Sequence, residues 1–209
     1  RCVGRKLKPM PVRIERTEKP EPITPRVERF LVEALGGVNI DDDKAAHTTT
    51  RPDYLCLRGL LVVELKSLEE DGSKRMDNLV EELRQRDDWP QFLGSAPIQA
   101  YLKHTSDSES LRLDVLNRMG RAIINHLKKA NRQIEAHKNR SNRKNMVGTL
   151  LLVNENHGLY DRPLVASVLK HALSRTDDNG KLLYEHVDLA LYLTERHVQV
   201  VDNRPAHPV

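Results

Sequence analysis

RPDYLCLRGLLVVELKSL, residues 51–68, sets three charges into a run that otherwise reads as buried sheet. Asp53 stands near its start, and Glu64 and Lys66 interrupt the Leu/Val run toward its end. Charged side chains are almost never fully buried without partners. The stretch therefore either tolerates a cost or exists to carry those charges. Arg58-Gly59 lies between two β-rich segments and reads as a tight turn, so Leu57 is expected to pair with Leu60. Paired residue numbers then sum to 117, and Asp53 falls directly opposite Glu64. Facing residues in an antiparallel pair have Cβ atoms roughly 4.5–5.5 Å apart. Lys66, two residues beyond Glu64, shares its face.

Two carboxylates that close repel each other unless a cation lies between them. A hard divalent ion with oxygen ligands fits, and Mg²⁺ typically takes one or two carboxylates together with water and phosphate oxygens. Such an ion polarises phosphodiesters and activates water, and a neighbouring lysine can orient that water or offset charge on phosphorus. The spacing also suits an ordinary acid–lysine pair on an exposed strand, which would contribute little.

The elements around the hairpin extend the reading. TPRVERFLVEALGG, residues 24–37, predicts a helix capped by Thr24, with Pro25 in its first turn and Gly36-Gly37 at its end. Val27, Phe30, Leu31, Ala34 and Leu35 form its apolar stripe. Downstream, the pattern predicts a short helix over 76–86 and a long one over about 110–137. A buried strand at GTLLLVNE, a helix over 161–175, a turn at DDNG and a strand at HVDLALYLTE follow. Helices alternating with strands imply an α/β fold, a mixed central sheet flanked by helices. Residues 24–201 are expected to form a single domain. Residues 1–23, rich in proline and charge, read as an extended arm, and 202–209 as a tail.

Pro52-Asp53 followed by Glu64-Leu65-Lys66, with a helix before the hairpin, resembles the signature of the PD-(D/E)XK nuclease superfamily. The resemblance implies a restriction-endonuclease-like core and Mg²⁺-dependent hydrolysis of phosphodiesters, with Mn²⁺ as a substitute. It implies DNA ahead of RNA as substrate, in repair, recombination or defence. By the same resemblance Asp53 and Glu64 bind the metal and Lys66 assists the attacking water. A further acid on the preceding helix matches Glu28, with Glu33 as second choice. The Gln-x-x-x-Tyr pattern of RecB-type members is not found. The alternative is a catalytically idle module on the same scaffold that binds nucleic acid or a protein partner.

Composition bounds the partners. The chain of 209 residues has a net charge of +4, which mildly favours a polyanion. Residues 128–144 carry seven Lys or Arg against one Glu, so Lys128, Lys129, Arg132, Lys138 and Arg140 are candidate phosphate contacts. The same segment also suits a solvated helix end, and no aromatic residues interleave to stack bases. Arg51, leading into Asp53, is a further candidate. Glu155 and His157 follow a predicted strand, where a simple strand-to-helix connection is the better expectation. Cys2 and Cys56 are too few for a disulfide framework or a cysteine zinc site. Apolar runs are too short to span a membrane, and no apolar segment of signal-peptide type follows the basic start. A cytoplasmic enzyme is expected, with a homodimer or a recruiting protein as further partners.

Overall fold

The structure, a computed structural model, describes residues 21–40, 51–69, 72–90, 104–141, 143, 145–196, 199–201 and 204–206. The predicted arm, apart from residues 21–23, and the loop residues His47–Thr50 lie outside the described residues. Five strands form one sheet in the order β1 (Val38–Asn39), β2 (Tyr54–Cys56), β3 (Leu61–Ser67), β4 (Val147–Asn154) and β5 (Leu189–Thr194). The first three run antiparallel, whereas β3, β4 and β5 are parallel. Parallel neighbours need crossover connections. Helices α2 (Ser73–Arg84), α3 (Ser108–Met119) and α4 (Arg121–Ser141) lie between β3 and β4, and α5 (Arg162–Leu173) lies between β4 and β5. The protein is thus α/β with a mixed sheet flanked by helices, as the pattern predicted.

The two sheet faces are covered unequally. Helix α1 (Ile23–Glu33) packs Ile23, Val27 and Leu31 against Tyr54, Cys56, Val63, Leu151 and Val153. On the opposite face, α4 and α5 bury Ile123, Leu127, Ile134, Val165 and Val168 against Val62, Leu150 and Leu152. Side chains alternate along a strand, so Glu64 and Lys66 belong to the face of Val62, beneath α4. That assignment positions the site.

Local details differ from the sequence reading for identifiable reasons. The expected long helix is two, α3 and α4, joined at Gly120. A Cβ at Gly120 would lie 2.6 Å from Leu116 O and from Val168 Cγ1. Only glycine lets α5 approach so closely, and the helix breaks there. Helix α1 begins at Ile23 with no side-chain cap of its own. Instead Thr24 donates from its N and Oγ1 to Glu155 Oε1, at 3.0 and 2.7 Å. The stretch read as a C-terminal tail contributes β7 (Arg204–Ala206), antiparallel to β6 (Gln199–Val201). No helix among the described residues is long and apolar enough to cross a membrane.

Candidate active site

The β2–β3 hairpin keeps the expected register with a different turn. Tyr54 pairs with Val63, Leu55 with Val62 and Cys56 with Leu61, so every pair sums to 117. The connection is not the two-residue Arg58-Gly59 loop. A 3₁₀ turn over Leu57–Gly59 closes it, with Leu60 N donating to Leu57 O. Each strand gives up one residue to the turn, so the register is unchanged. One step further along, Asp53 falls opposite Glu64.

The three charges meet on one face. Lys66 Nζ lies 2.5 Å from Glu64 Oε1 and 3.4 Å from Asp53 Oδ2. Asp53 Oδ2 also accepts a hydrogen bond of 2.7 Å from the Leu65 backbone N–H, and Asp53 O accepts one from Ile40 N. The Asp53 carboxylate is thereby held against the neighbouring strand. Glu64 is fully buried, while the Asp53 and Lys66 side chains are about one-fifth exposed, at 20% and 23%.

Burial and the nearby Asp53 charge push the Glu64 carboxyl up to about 7, against the opposing pull of Lys66 and Gln133. Burial acts to lower the Lys66 ammonium's pKa, but Glu64 and Asp53 outweigh it and the net direction is upward. Glu64 Oε1 touches the Lys66 ammonium, and Lys66 and the Gln133 amide are the groups that favour its charged form. A buried carboxylate in this state is costly. The donor set suits a hard ion: two carboxylates on one face, with no sulfur or imidazole ligand required. Among the described residues no three acidic, histidine or cysteine side chains gather at one point. The remaining ligands would therefore be water, backbone or phosphate oxygens, as Mg²⁺ prefers.

Gln133 is a member of this site that sequence reasoning missed. It lies on α4 and donates from Nε2 to Arg51 O, and its amide favours the charged form of Glu64. It thus ties the strand entry at Arg51 to the acid pair. The available signal was its place beside Ile134, at the border of the apolar stripe, where a polar side chain can reach over the sheet. One turn on, His137 is held low by burial, then by the Arg140 and Arg51 charges.

The basic segment divides into two flanks. At about 100° per residue, Lys129, Gln133, His137 and Arg140 fall within roughly 80° of one another on one side of α4. This is the side of Arg51 and the acid pair. Lys128, Asn131, Glu135 and Lys138 take the other side. There Lys138 Nζ pairs with Asp188 Oδ2 at 2.9 Å, and Asn131 Oδ1 accepts from His186 N. Lys129, Arg132, Gln133 and Ala136 line a shallow groove on the outer surface of α4. Of the predicted phosphate contacts, Lys129 and Arg140 share the flank of Gln133, whose amide reaches Arg51 O; Arg132 faces outward from α4, and Lys128 and Lys138 lie on the other flank.

Glu28 is not joined to the three. It is half-buried on α1, whose apolar side packs on the opposite sheet face, and it makes no hydrogen bond or ion pair with them. Glu33, on the same helix, is exposed. Glu155 caps α1, and Asn154 holds the following turn by accepting from His157 N and donating to His157 O. Those residues form a connection, as expected. No protein-family model, curated protein or solved structure matches this chain.

Proposed function

We propose that this chain is a divalent-metal-dependent nuclease of the PD-(D/E)XK kind, hydrolysing phosphodiester bonds of DNA on a restriction-endonuclease-like core. One observation carries the reading. Asp53 and a fully buried Glu64 converge on the Lys66 ammonium, on one face of the sheet. A fold built only for stability gains little from such a group, since a buried ion pair often does no better than apolar residues. The helix preceding the hairpin and the parallel strand β4 beside it agree with the same reading.

Asp53 and Glu64 would hold Mg²⁺ or Mn²⁺. Bound there, the ion would polarise the scissile phosphodiester and lower the pKa of a nearby water. Lys66 supplies positive charge within reach of both carboxylates, suited to orienting the attacking water and offsetting charge on the phosphoryl oxygens. The Leu65 N–H fixes Asp53, and Gln133 steadies Glu64, so both acids present oxygens in a restricted geometry.

The test is incubation with plasmid, linear duplex and single-stranded DNA, and with RNA, in Mg²⁺ or in chelator. Cleavage in Mg²⁺ that disappears with chelator, with Asp53→Ala and with Lys66→Ala supports the reading. Cleavage surviving both substitutions removes it, and duplex binding with no cleavage under any condition favours a binding module.

A further inference from the structure

The tip of the β2–β3 hairpin combines backbone strain with exposed positive charge. Leu57 and Arg58 have φ of 52° and 58°, and Gly59 has φ of 82°. Left-handed backbone is cheap for glycine and costly for leucine and arginine. Arg58 is exposed, and so are Leu57 and Leu60, at 47% and 59%. Arg143 reaches the same place from beyond α4: a Cβ built on Gly59 would lie 3.1 Å from its Nη1. Among the described residues neither Arg58 nor Arg143 has an ion pair or hydrogen bond. Two guanidinium groups thus share a strained, solvent-facing turn, with no anion paired to them among the described residues.

The tip has a fixed relation to the acid pair. Glu64 lies three strand residues from Leu61, and the turn begins beyond that, so acids and tip are roughly 15 Å apart at about 3.3 Å per residue. Helix α4 accompanies the hairpin over this distance, from Gln133 beside Arg51 to the Arg143 that follows its end. Its flank carries Arg140 between them.

Resting on the nuclease reading above, we infer that Arg58 and Arg143 form a second backbone contact, gripping phosphates of a DNA duplex whose scissile bond lies at Asp53 and Glu64. A duplex carries a phosphate about every 3.4 Å of axis on each strand, so 15 Å spans roughly four. A rigid duplex can bridge both points. Single strands are normally held by stacking on aromatic side chains, and neither the tip nor this flank of α4 has a Phe, Tyr or Trp. The strained turn then has a reason: it keeps an arginine where glycine would be easier.

The test is equilibrium binding of a short, blunt DNA duplex to the full chain in chelator, across a salt series. The double variant Arg58→Gly/Arg143→Ala is compared with Lys170→Ala/Arg175→Ala, which removes two exposed cations at the end of α5. The tip variant is expected to reduce the slope of log affinity against log salt by roughly 2. Arg58→Lys/Arg143→Lys should restore it, and the α5 variant should leave it unchanged. Thermal unfolding of the tip variant should show no loss of stability, since glycine relieves the strained position. Equal slopes in the tip variant and the parent overturn the tip contact while leaving the nuclease reading intact. Equal losses in both double variants overturn it as well, since the charge is then diffuse. A parent chain that binds no duplex overturns both.

Discussion

The Lys66 ammonium lies 2.5 Å from the carboxylate of Glu64, the one fully buried acid among the described residues. That ammonium occupies the gap between Glu64 and Asp53, where a divalent ion would have to enter. Lys66 is therefore the counter-ion of both acids, and a divalent ion bound at the proposed site would have to compete with it.

Replacing the competitor should alter metal response and stability in opposite directions. In Lys66→Met the acid pair loses its counter-ion, so in chelator at pH 8 the protein should lose about 3 kcal/mol, the low end for breaking a buried pair because Lys66 is partly exposed. Mg²⁺ should then raise its Tm more than it raises that of the parent, because binding is linked to stability. An equal Mg²⁺ shift in both proteins would show that the ion does not bind between these carboxylates.

Glu64 makes stability depend on pH with a definite sign. Its carboxyl is raised from an ordinary 4.5 to about 7 by burial and Asp53. The folded state then holds an extra proton between those values, and stability falls as pH rises through that window. In chelator, the stability difference between the parent and Glu64→Gln should shift in favour of Gln by roughly 3 kcal/mol between pH 4.5 and 8. Denaturant unfolding at several pH values measures it, and a flat difference would place Glu64 in a more polar setting than its burial indicates.

Gln133→Ala removes the donor to Arg51 O and the amide beside Glu64. A modest stability loss of about 1 kcal/mol is expected from the hydrogen bond. Cleavage should fall more steeply than stability, by about tenfold in kcat with KM little changed, because a positioning group is lost. Gln133→Glu, which keeps the shape but adds a third acid, should weaken Lys66's control of the pair and raise Mg²⁺ affinity.

Glu155→Ala tests a structural assignment. Glu155 Oε1 accepts both Thr24 bonds at the start of α1. Its loss should cost about 1 kcal/mol, as loss of a helix cap does, and leave kcat unaltered. A large fall in kcat with normal stability would instead give this strand end a part in the chemistry.

The hairpin register was legible because two constraints agreed: an apolar run on both sides and a turn signal at Arg58-Gly59. The turn itself was misread, since nothing local indicates that Leu57 and Arg58 adopt positive φ. The facing of Asp53 and Glu64 survived because the longer turn took one residue from each strand. The break at Gly120 was hidden by an apolar stripe that runs on through Met119 and Ile123. The residue that leaves no room for a side chain at Gly120, Val168, is distant in sequence. Gln133 was missed because counting charges along 128–144 passes over an amide, and its partners lie on another element. Glu28 matched a helix position, but which sheet face a helix covers is a tertiary fact that spacing does not carry.

Mn²⁺ titration followed by electron paramagnetic resonance tests the central claim most directly. The account predicts a saturable Mn²⁺ site in the parent that Mg²⁺ displaces, that is lost in Asp53→Ala and Glu64→Gln, and that is retained or tightened in Lys66→Met. Mn²⁺ binding unchanged by Asp53→Ala would contradict it.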